Sequence, residues 1–465
     1  MPPMNGSIWR IMPWGHSALF ICTKNSARCK KAQPVFLADI HLSRYIPLLL
    51  IVLHLEVMGQ STSVVSKISV EGNQVTKEYI IRREIQHPLD VQLDSTIARE
   101  DRNRIDNIGI FGRVVWDTVS QKDGSVELVY RVLESWRFWP GVSPIYWEDK
   151  GWSLGGGLRI LNFRGRDQSF AIGGSIGAIQ MFGFYFSDPW FAGDHISLSM
   201  NLGKNLFVHP FLPYVQSTEA FEVNLGRWFG YRWKVQAGFE LEHKQFSEES
   251  DTLSFTYIAP QGSVIYDTRD IYRDPSRGGM ITQSFYSMID LTQGDGNRLV
   301  WTQSVSQYWS PVQGQKKLTL GIGVKLATSF GSMDEVWLNY FGGSKTVRGW
   351  SVPNRDDYVN PLQSFRFGNH QFIFSAEARQ TIIPTSTVSS RIFNVEYGLT
   401  GVVFLDIGYT SRQLQDLLNF DPLLGTGLGI RMPIPGGVLR LDLGWSFYSG
   451  EFVSKGINFD LGQKF

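Results

Sequence analysis

The chain has 465 residues, and its 44 lysines and arginines are balanced by 43 aspartates and glutamates. That balance excludes a nucleic-acid binder driven by bulk positive charge. Charged residues make up 19% and aromatics 14%, with 47 glycines. This is poorer in charge than the roughly 25% of soluble chains and suits a β-barrel in an outer membrane. The one long apolar run, Ile46 to Leu55, is about half the length a spanning helix needs.

In chain order, residues 1–59 read as an N-terminal extension and signal peptide. Arg44 precedes the run Ile46-Pro47-Leu48-Leu49-Leu50-Ile51-Val52-Leu53, and Val57 and Gly59 stand at a cleavage-type spacing before Gln60. The long stretch before the run points to a start near Ile40. Both cysteines, Cys22 and Cys29, fall here. Their spacing matches no zinc pattern, so the expected mature chain is exported without disulfides.

Residues 65–135 form a small module. Lys67-Ile68-Ser69-Val70 alternates as a strand and stops at the turn pair Gly72-Asn73. Thr76 is placed to cap a helix through Tyr79, Ile80, Ile81 and Ile85. A second helix after Asp94-Ser95 puts Ile97, Ile105 and Ile108 on one face. Strands over Arg113–Ser120 and Ser125–Leu133 meet at Asp123-Gly124. The order is β-α-α-β-β, in about 70 residues able to fold alone.

From 136 to 465 the period changes to two. Leu439, Leu441, Leu443, Trp445 and Phe447 alternate with Arg440, Asp442, Gly444 and Ser446, and Ile457, Phe459, Leu461 and Phe465 alternate with polar residues or glycine. A soluble sandwich would alternate too. Segments of about ten residues recurring to the chain's end, with aromatics at their ends, favour a transmembrane barrel. About sixteen such segments follow Trp136, giving a mainly β fold: a 16-stranded antiparallel barrel preceded by the β-α-α-β-β module. An even count puts both barrel ends on the module's side. Arg164-Gly165-Arg166-Asp167 and Ile434-Pro435-Gly436-Gly437 are then short turns on that side, and the long connection from Gly331 to Gly368 lies outside.

Four motifs carry a resemblance. Val347-Arg348-Gly349-Trp350 in the long connection is similar to a VRGF or VRGY signature. Phe404-Leu405-Asp406-Ile407-Gly408 matches F-x-D-x-G. Ser187-Asp188-Pro189-Trp190-Phe191 and Asp267-Thr268-Arg269-Asp270, with Pro275 and Gly278, match two periplasmic turns. Together they resemble the BamA/TamA-like outer-membrane assembly barrels (the bacterial surface antigen family), over residues 65–465, with the small module as a single POTRA domain. Trp350 departs from the usual Phe or Tyr, and one module stands where some members have several. The terminal strand ending in Phe465 resembles the family's assembly signal.

The resemblance implies that the long loop folds back into the lumen and that Arg348 pairs with inward carboxylates. The alternation supplies candidates independently. With Leu405, Ile407 and Tyr409 towards lipid, Phe404, Asp406 and Gly408 face the lumen, and by the same phase so do Ser375, Glu377 and Arg379. Asp406 and Glu377 then lie on neighbouring strands, within reach of one arginine fork; the alternative is that these charges only hydrate a polar lumen. The seam between Trp136–Trp147 and Ile457–Phe465 is a candidate working edge, because Pro140 and Pro144 lack ladder donors; the prolines also fit a simple entry from the module.

Gly173-Gly174-Ser175-Ile176-Gly177 matches a hydrolase elbow but sits in an alternating strand. The histidines form no ligand spacing, so no metal or cofactor site is expected. The expected function is non-enzymatic: insertion or assembly of outer-membrane proteins at the seam, with the VRGW loop in the lumen. The alternative is a dedicated secretion pore of the two-partner type. A phospholipase-type enzyme or a passive porin fits less well. The expected partners are the lipid bilayer, unfolded outer-membrane or secreted proteins, and periplasmic or lipoprotein factors, with no nucleic acid. The expected location is the bacterial outer membrane, the POTRA module in the periplasm.

Overall fold

Strand propensity and turn chemistry lay out two large sheets and a two-stranded ribbon, Asn339–Tyr340 with Phe367–Gly368, in a computed structural model that describes residues 63–465, apart from 194, 249–250, 293–295, 390–393, 419–420 and 435–436. The signal-peptide segment, Cys22, Cys29 and the Pro435-Gly436 turn lie outside the described residues.

The first sheet is built from β1 (Val64–Glu71), β2 (Val91–Gln92), β3 (Phe111–Ser120) and β4 (Val126–Glu134), in the order β2-β1-β4-β3. Two helices, α1 (Glu78–Arg82) and α2 (Ser95–Asn107), cover it. Asp94 caps α2, accepting from the amides of Thr96 and Ile97, and those bonds pull its carboxyl below the usual value. Thr76 does not cap α1. Its hydroxyl instead donates to Glu134 at 2.5 Å and accepts from Asn162 of the barrel at 2.8 Å. The core gathers Val65, Ile81, Ala98, Ile105, Phe111 and Leu128. Asp101 is fully buried beneath it, holding the amides of Gln86 and His87 and the Tyr130 hydroxyl.

The second sheet has sixteen antiparallel strands. They are β5 (Phe138–Trp147), β6 (Gly151–Phe163), β7 (Gln168–Gly177), β8 (Ile179–Asp188), β9 (Ile196–Val208), β10 (Val215–Phe229), β11 (Trp233–Glu248) and β12 (Asp251–Asp267), then β13 (Gly278–Asp290), β14 (Arg298–Val312) and β15 (Leu318–Gly331). The long connection follows, with β16 (Asn339–Tyr340), a short helix α3 (Arg355–Val359) and β17 (Phe367–Gly368). The last five strands are β18 (His370–Ser389), β19 (Asn394–Ser411), β20 (Leu423–Ile434), β21 (Gly437–Tyr448) and β22 (Glu451–Leu461). Alternation sets the faces. Leu441, Leu443, Leu405 and Val403 point outward and exposed, while Asp442, Asp406 and Phe404 point inward and buried.

Two features bear on function. Among the described residues no ladder joins β5 to β22, so they form two free edges facing one another. The module also sits against the short-turn end. Asn107 donates to the Asp270 carbonyl at 3.1 Å and accepts from the Tyr272 amide at 2.8 Å. The Arg83 guanidinium lies 4.0 Å from the Trp190 ring centroid. Both turns picked out by motif therefore dock the module.

Phe465 differs from its expected place. β22 stops at Leu461, and the last residues turn inward instead of continuing the outward-facing alternation. Gly321 and Gly323 leave a slot on the lumenal face of β15 where the Phe465 ring packs. The ring stacks on Tyr308 at 6.0 Å, and the tyrosine hydroxyl donates to the Phe465 carbonyl. Lys464 donates to the carbonyls of Ser344 and Thr346 at 2.9 and 2.6 Å. The ring slot and the two Lys464 hydrogen bonds hold the chain end off the line of β22.

Candidate functional site: the lumenal loop and the open seam

Residues 332–369 leave β15 and return over the barrel interior. Apolar contacts fix them at three places. Val336 and Trp337 pack near Phe246, Phe255 and Tyr257; Tyr340, Tyr358 and Phe367 pack on Phe211 and Leu212; Phe341, Val347 and Trp350 pack on Ile373 and Leu423. A loop of this length is uncommon without a function of its own, and this one has a packed core.

Arg348 lies at its turning point, with no solvent exposure. Its Nε donates to Asp406 Oδ2 at 2.7 Å and its Nη2 to Oδ1 at 2.8 Å, a two-pronged pairing, and its own amide donates to the same carboxylate at 3.0 Å. Nη1 reaches Glu377 at 2.5 Å and Asp442 at 3.2 Å. The guanidinium carbon also lies over the Phe404 ring, 3.7 Å from its centroid. A buried charge is costly unless paired and fully hydrogen-bonded, and here three carboxylates and a ring face meet that demand.

The neighbouring motif residues make room for this approach. Gly349 has φ +92°, and a Cβ there would lie 2.9 Å from the Trp445 carbonyl carbon; its amide donates to Asn458 at 3.0 Å. A Cβ at Gly408 would lie 2.8 Å from the Phe341 ring. Trp350 is buried, its indole N–H donating to the Leu424 carbonyl at 2.9 Å. That bond gives the larger ring a partner a phenylalanine would not need. The structure thus brings Val347, Arg348, Gly349 and Trp350 together with Phe404, Asp406, Gly408 and Glu377. Phe465 stands apart, on the β14–β15 wall.

Several residues of the cluster were missed by sequence reasoning. Asp442 bridges Arg348 and Arg431, and Glu377 is shared by Arg348, Arg379 and Arg431. Arg440 pairs with Asp460 at 2.8 Å and donates to the Ser344 carbonyl at 3.2 Å. The inward phase of Arg440 and Asp442 was visible in the β21 alternation; that they meet Arg348 was not, because it depends on strand order across the barrel. Ser175, of the elbow-like motif, donates to the Ile179 carbonyl at 2.8 Å.

At the seam, β5 is exposed along most of its length, with Val142 75% exposed. A cavity of about 480 Å³ opens between its upper half, the start of the lumenal loop and Phe459–Leu461 of β22. The seam and the Arg348 cluster are therefore contiguous.

Residues 162–465 match the model of the Omp85 superfamily domain, and residues 63–135 match the POTRA model described as surface antigen variable number repeat. The outer membrane protein assembly factor BamA of Neisseria meningitidis serogroup B is 26% identical over 146 residues, which is 31% of this chain and only 18% of that protein's length. Among solved structures, BamA from Haemophilus ducreyi lacking POTRA domains 1–3 superposes with a TM-score of 0.53 at 18% identity, over 85% of this chain and 84% of that one. CdiB from Escherichia coli superposes with a TM-score of 0.56 at 12% identity, over 86% and 76%.

Proposed function

The chain belongs to the Omp85 superfamily, and from that premise we propose that it is a non-enzymatic factor that inserts or assembles other β-barrel proteins in the outer membrane. In this reading the barrel spans the outer membrane and the POTRA module stands on the periplasmic side, where it receives unfolded substrates. The observation that carries the proposal is the pair of free strand edges, β5 and β22, in an otherwise continuous sixteen-stranded sheet. Inside a bilayer an unpaired strand edge is expensive, since no water is there to satisfy it. An edge left open in such a place is a template for an incoming strand, which pairs by β-augmentation. The lumen supports an assembly role over a passive channel, because loop residues 332–369 pack across it and the tail residues 464–465 lie against its wall.

Depletion of the protein followed by measurement of the outer-membrane proteome tests the reading. Assembly predicts a general loss of β-barrels. Loss of a single exported protein with other barrels intact would replace it with a dedicated secretion pore. A disulfide engineered across the seam adds a second arm: full assembly activity with the seam locked shut would refute templating there.

A further inference from the structure

We infer that Glu148 is the positioning residue that ties the first hairpin to both the lumenal loop and the last strand, so that seam and loop open together. This rests on the seam reading above and extends it to a named side chain. Glu148 heads the short connection after β5, half-buried beside the seam cavity. Its Oε2 accepts from the Ser344 amide of the loop at 2.6 Å. Its Oε1 accepts from Asn458 Nδ2 and from the Phe459 amide of β22, both at 3.1 Å. Three donors from two other elements, the loop and β22, converge on one carboxylate.

The Phe459 contact matters for the edge. That amide donates to Glu148, so it points away from β21 and would otherwise be one of the unpaired donors of β22. Asn458 extends the connection inward. Its Nδ2 donates to Glu148 while its Oδ1 accepts from the Gly349 amide, next to Arg348. A chain of hydrogen bonds thus runs from the seam hairpin through Asn458 to the loop that Asp406 and Glu377 grip. The loop is shaped to receive the carboxylate: a Cβ on Gly343 would lie 2.6 Å from Glu148 Oε2.

A carboxylate is required because every partner is a donor. Glutamine offers one acceptor oxygen and an NH₂ with nothing to donate to, so it can keep one arm and must lose the other. Aspartate keeps the charge on a shorter stem. Separation of the seam is read by pulsed electron paramagnetic resonance between spin labels at Tyr146→Cys and Ile457→Cys in the full chain, with Cys22→Ser and Cys29→Ser, in lipid vesicles. The native Glu148 protein should give one narrow distance distribution. Glu148→Gln and Glu148→Ala should broaden it to longer distances, with Glu148→Asp in between. Protease cutting within 332–369 should rise at least about tenfold in Glu148→Ala, as expected for losing charge-assisted hydrogen bonds. Asn458→Ala, which removes one link of the chain and leaves Glu148 intact, should broaden the distribution as well and serves if the Glu148 variants do not fold. Unchanged distributions in Glu148→Ala, or in Asn458→Ala should that be the variant that folds, overturn the inference whatever happens to substrate assembly. Broadened distributions with wild-type assembly rates would sustain the Glu148 contact and count against the seam reading instead.

Discussion

Replacing Asp406 by asparagine should release the lumenal loop without dismantling the barrel. Asp406 accepts three hydrogen bonds from Arg348, two from the guanidinium and one from the backbone, all between 2.7 and 3.0 Å. Removing one partner of a buried ion pair costs about 3–5 kcal/mol, because the other charge stays buried and uncompensated. Here Glu377 and Asp442 still contact Nη1, so the lower end applies, about 3 kcal/mol on loop docking. At about 1.4 kcal/mol per decade that is on the order of a hundredfold in the docked-to-undocked ratio. The assay is limited proteolysis of the protein in lipid vesicles, followed by mass analysis of cuts within residues 332–369. In the regime where cutting follows the open population, the rate should rise on the order of a hundredfold, while heat-modifiable mobility of the barrel stays as in the wild type. Reversing the charge, as in Asp406→Arg, should also weaken assembly. An unchanged cutting rate in Asp406→Asn would mean that the apolar contacts alone hold the loop, and the argument from charge would fail.

Other outcomes follow from local geometry. Gly349→Ala places a Cβ at a positive φ and against the β21 backbone, and should loosen the loop by about 1–3 kcal/mol, seen as faster hydrogen exchange over 344–350. Asn107→Ala removes both bonds that hold the α2 end to the 270–272 turn, and should free the module by about 1–3 kcal/mol, read as a wider spread of distances between labels on α2 and the turn. The same junction should respond to pH. Burial raises the carboxyls of Glu84, Asp106 and Asp167 above their ordinary values, against the opposing pull of Arg83, or of Arg273 for Asp106. Raised folded values mean protons taken up on docking. The contribution is therefore full below about pH 4 and lost as pH rises through the raised values. Asp167→Asn should flatten that dependence in thermal melts of the full chain, and an identical pH profile in wild type and variant would refute it.

How much of this was legible in the sequence depends on the range of the interaction. Strand phase is local, so the inward places of Asp406, Glu377, Arg440 and Asp442 follow from alternation alone. Sixteen strands could be counted because each ends in turn residues within a few positions. The caps show the limit. Asp94 caps α2 from its sequence neighbours, whereas Thr76 is drawn off by Glu134 and Asn162, which are 58 and 86 residues away. The same holds for Phe465, whose place is decided by a glycine slot on β15, and for Glu148, whose three donors all come from beyond residue 340. Residues whose role is set by their own strand were readable; those set by strand order across the barrel were not.

The prolines of β5 can now be placed relative to the seam. The β5–β6 ladder runs unbroken from Phe138 to Trp147 through Pro140 and Pro144. Neither proline can donate, so the pairs Pro140–Leu158 and Pro144–Leu154 must be the non-hydrogen-bonded kind, and both nitrogens face away from β6, towards the seam. The free edge therefore lacks two donors that any other residue would have exposed there. Each unsatisfied amide in hydrocarbon costs several kcal/mol, so the prolines lower the cost of leaving the edge open and also blunt it against unwanted partners. Restoring both donors with Pro140→Val and Pro144→Val should make the edge stickier. A photo-crosslinker at Ser143 should then capture a second copy of the chain more often than in the wild type. If capture stays at the wild-type level, the prolines merely mark the entry from the POTRA module and have no part in protecting the edge.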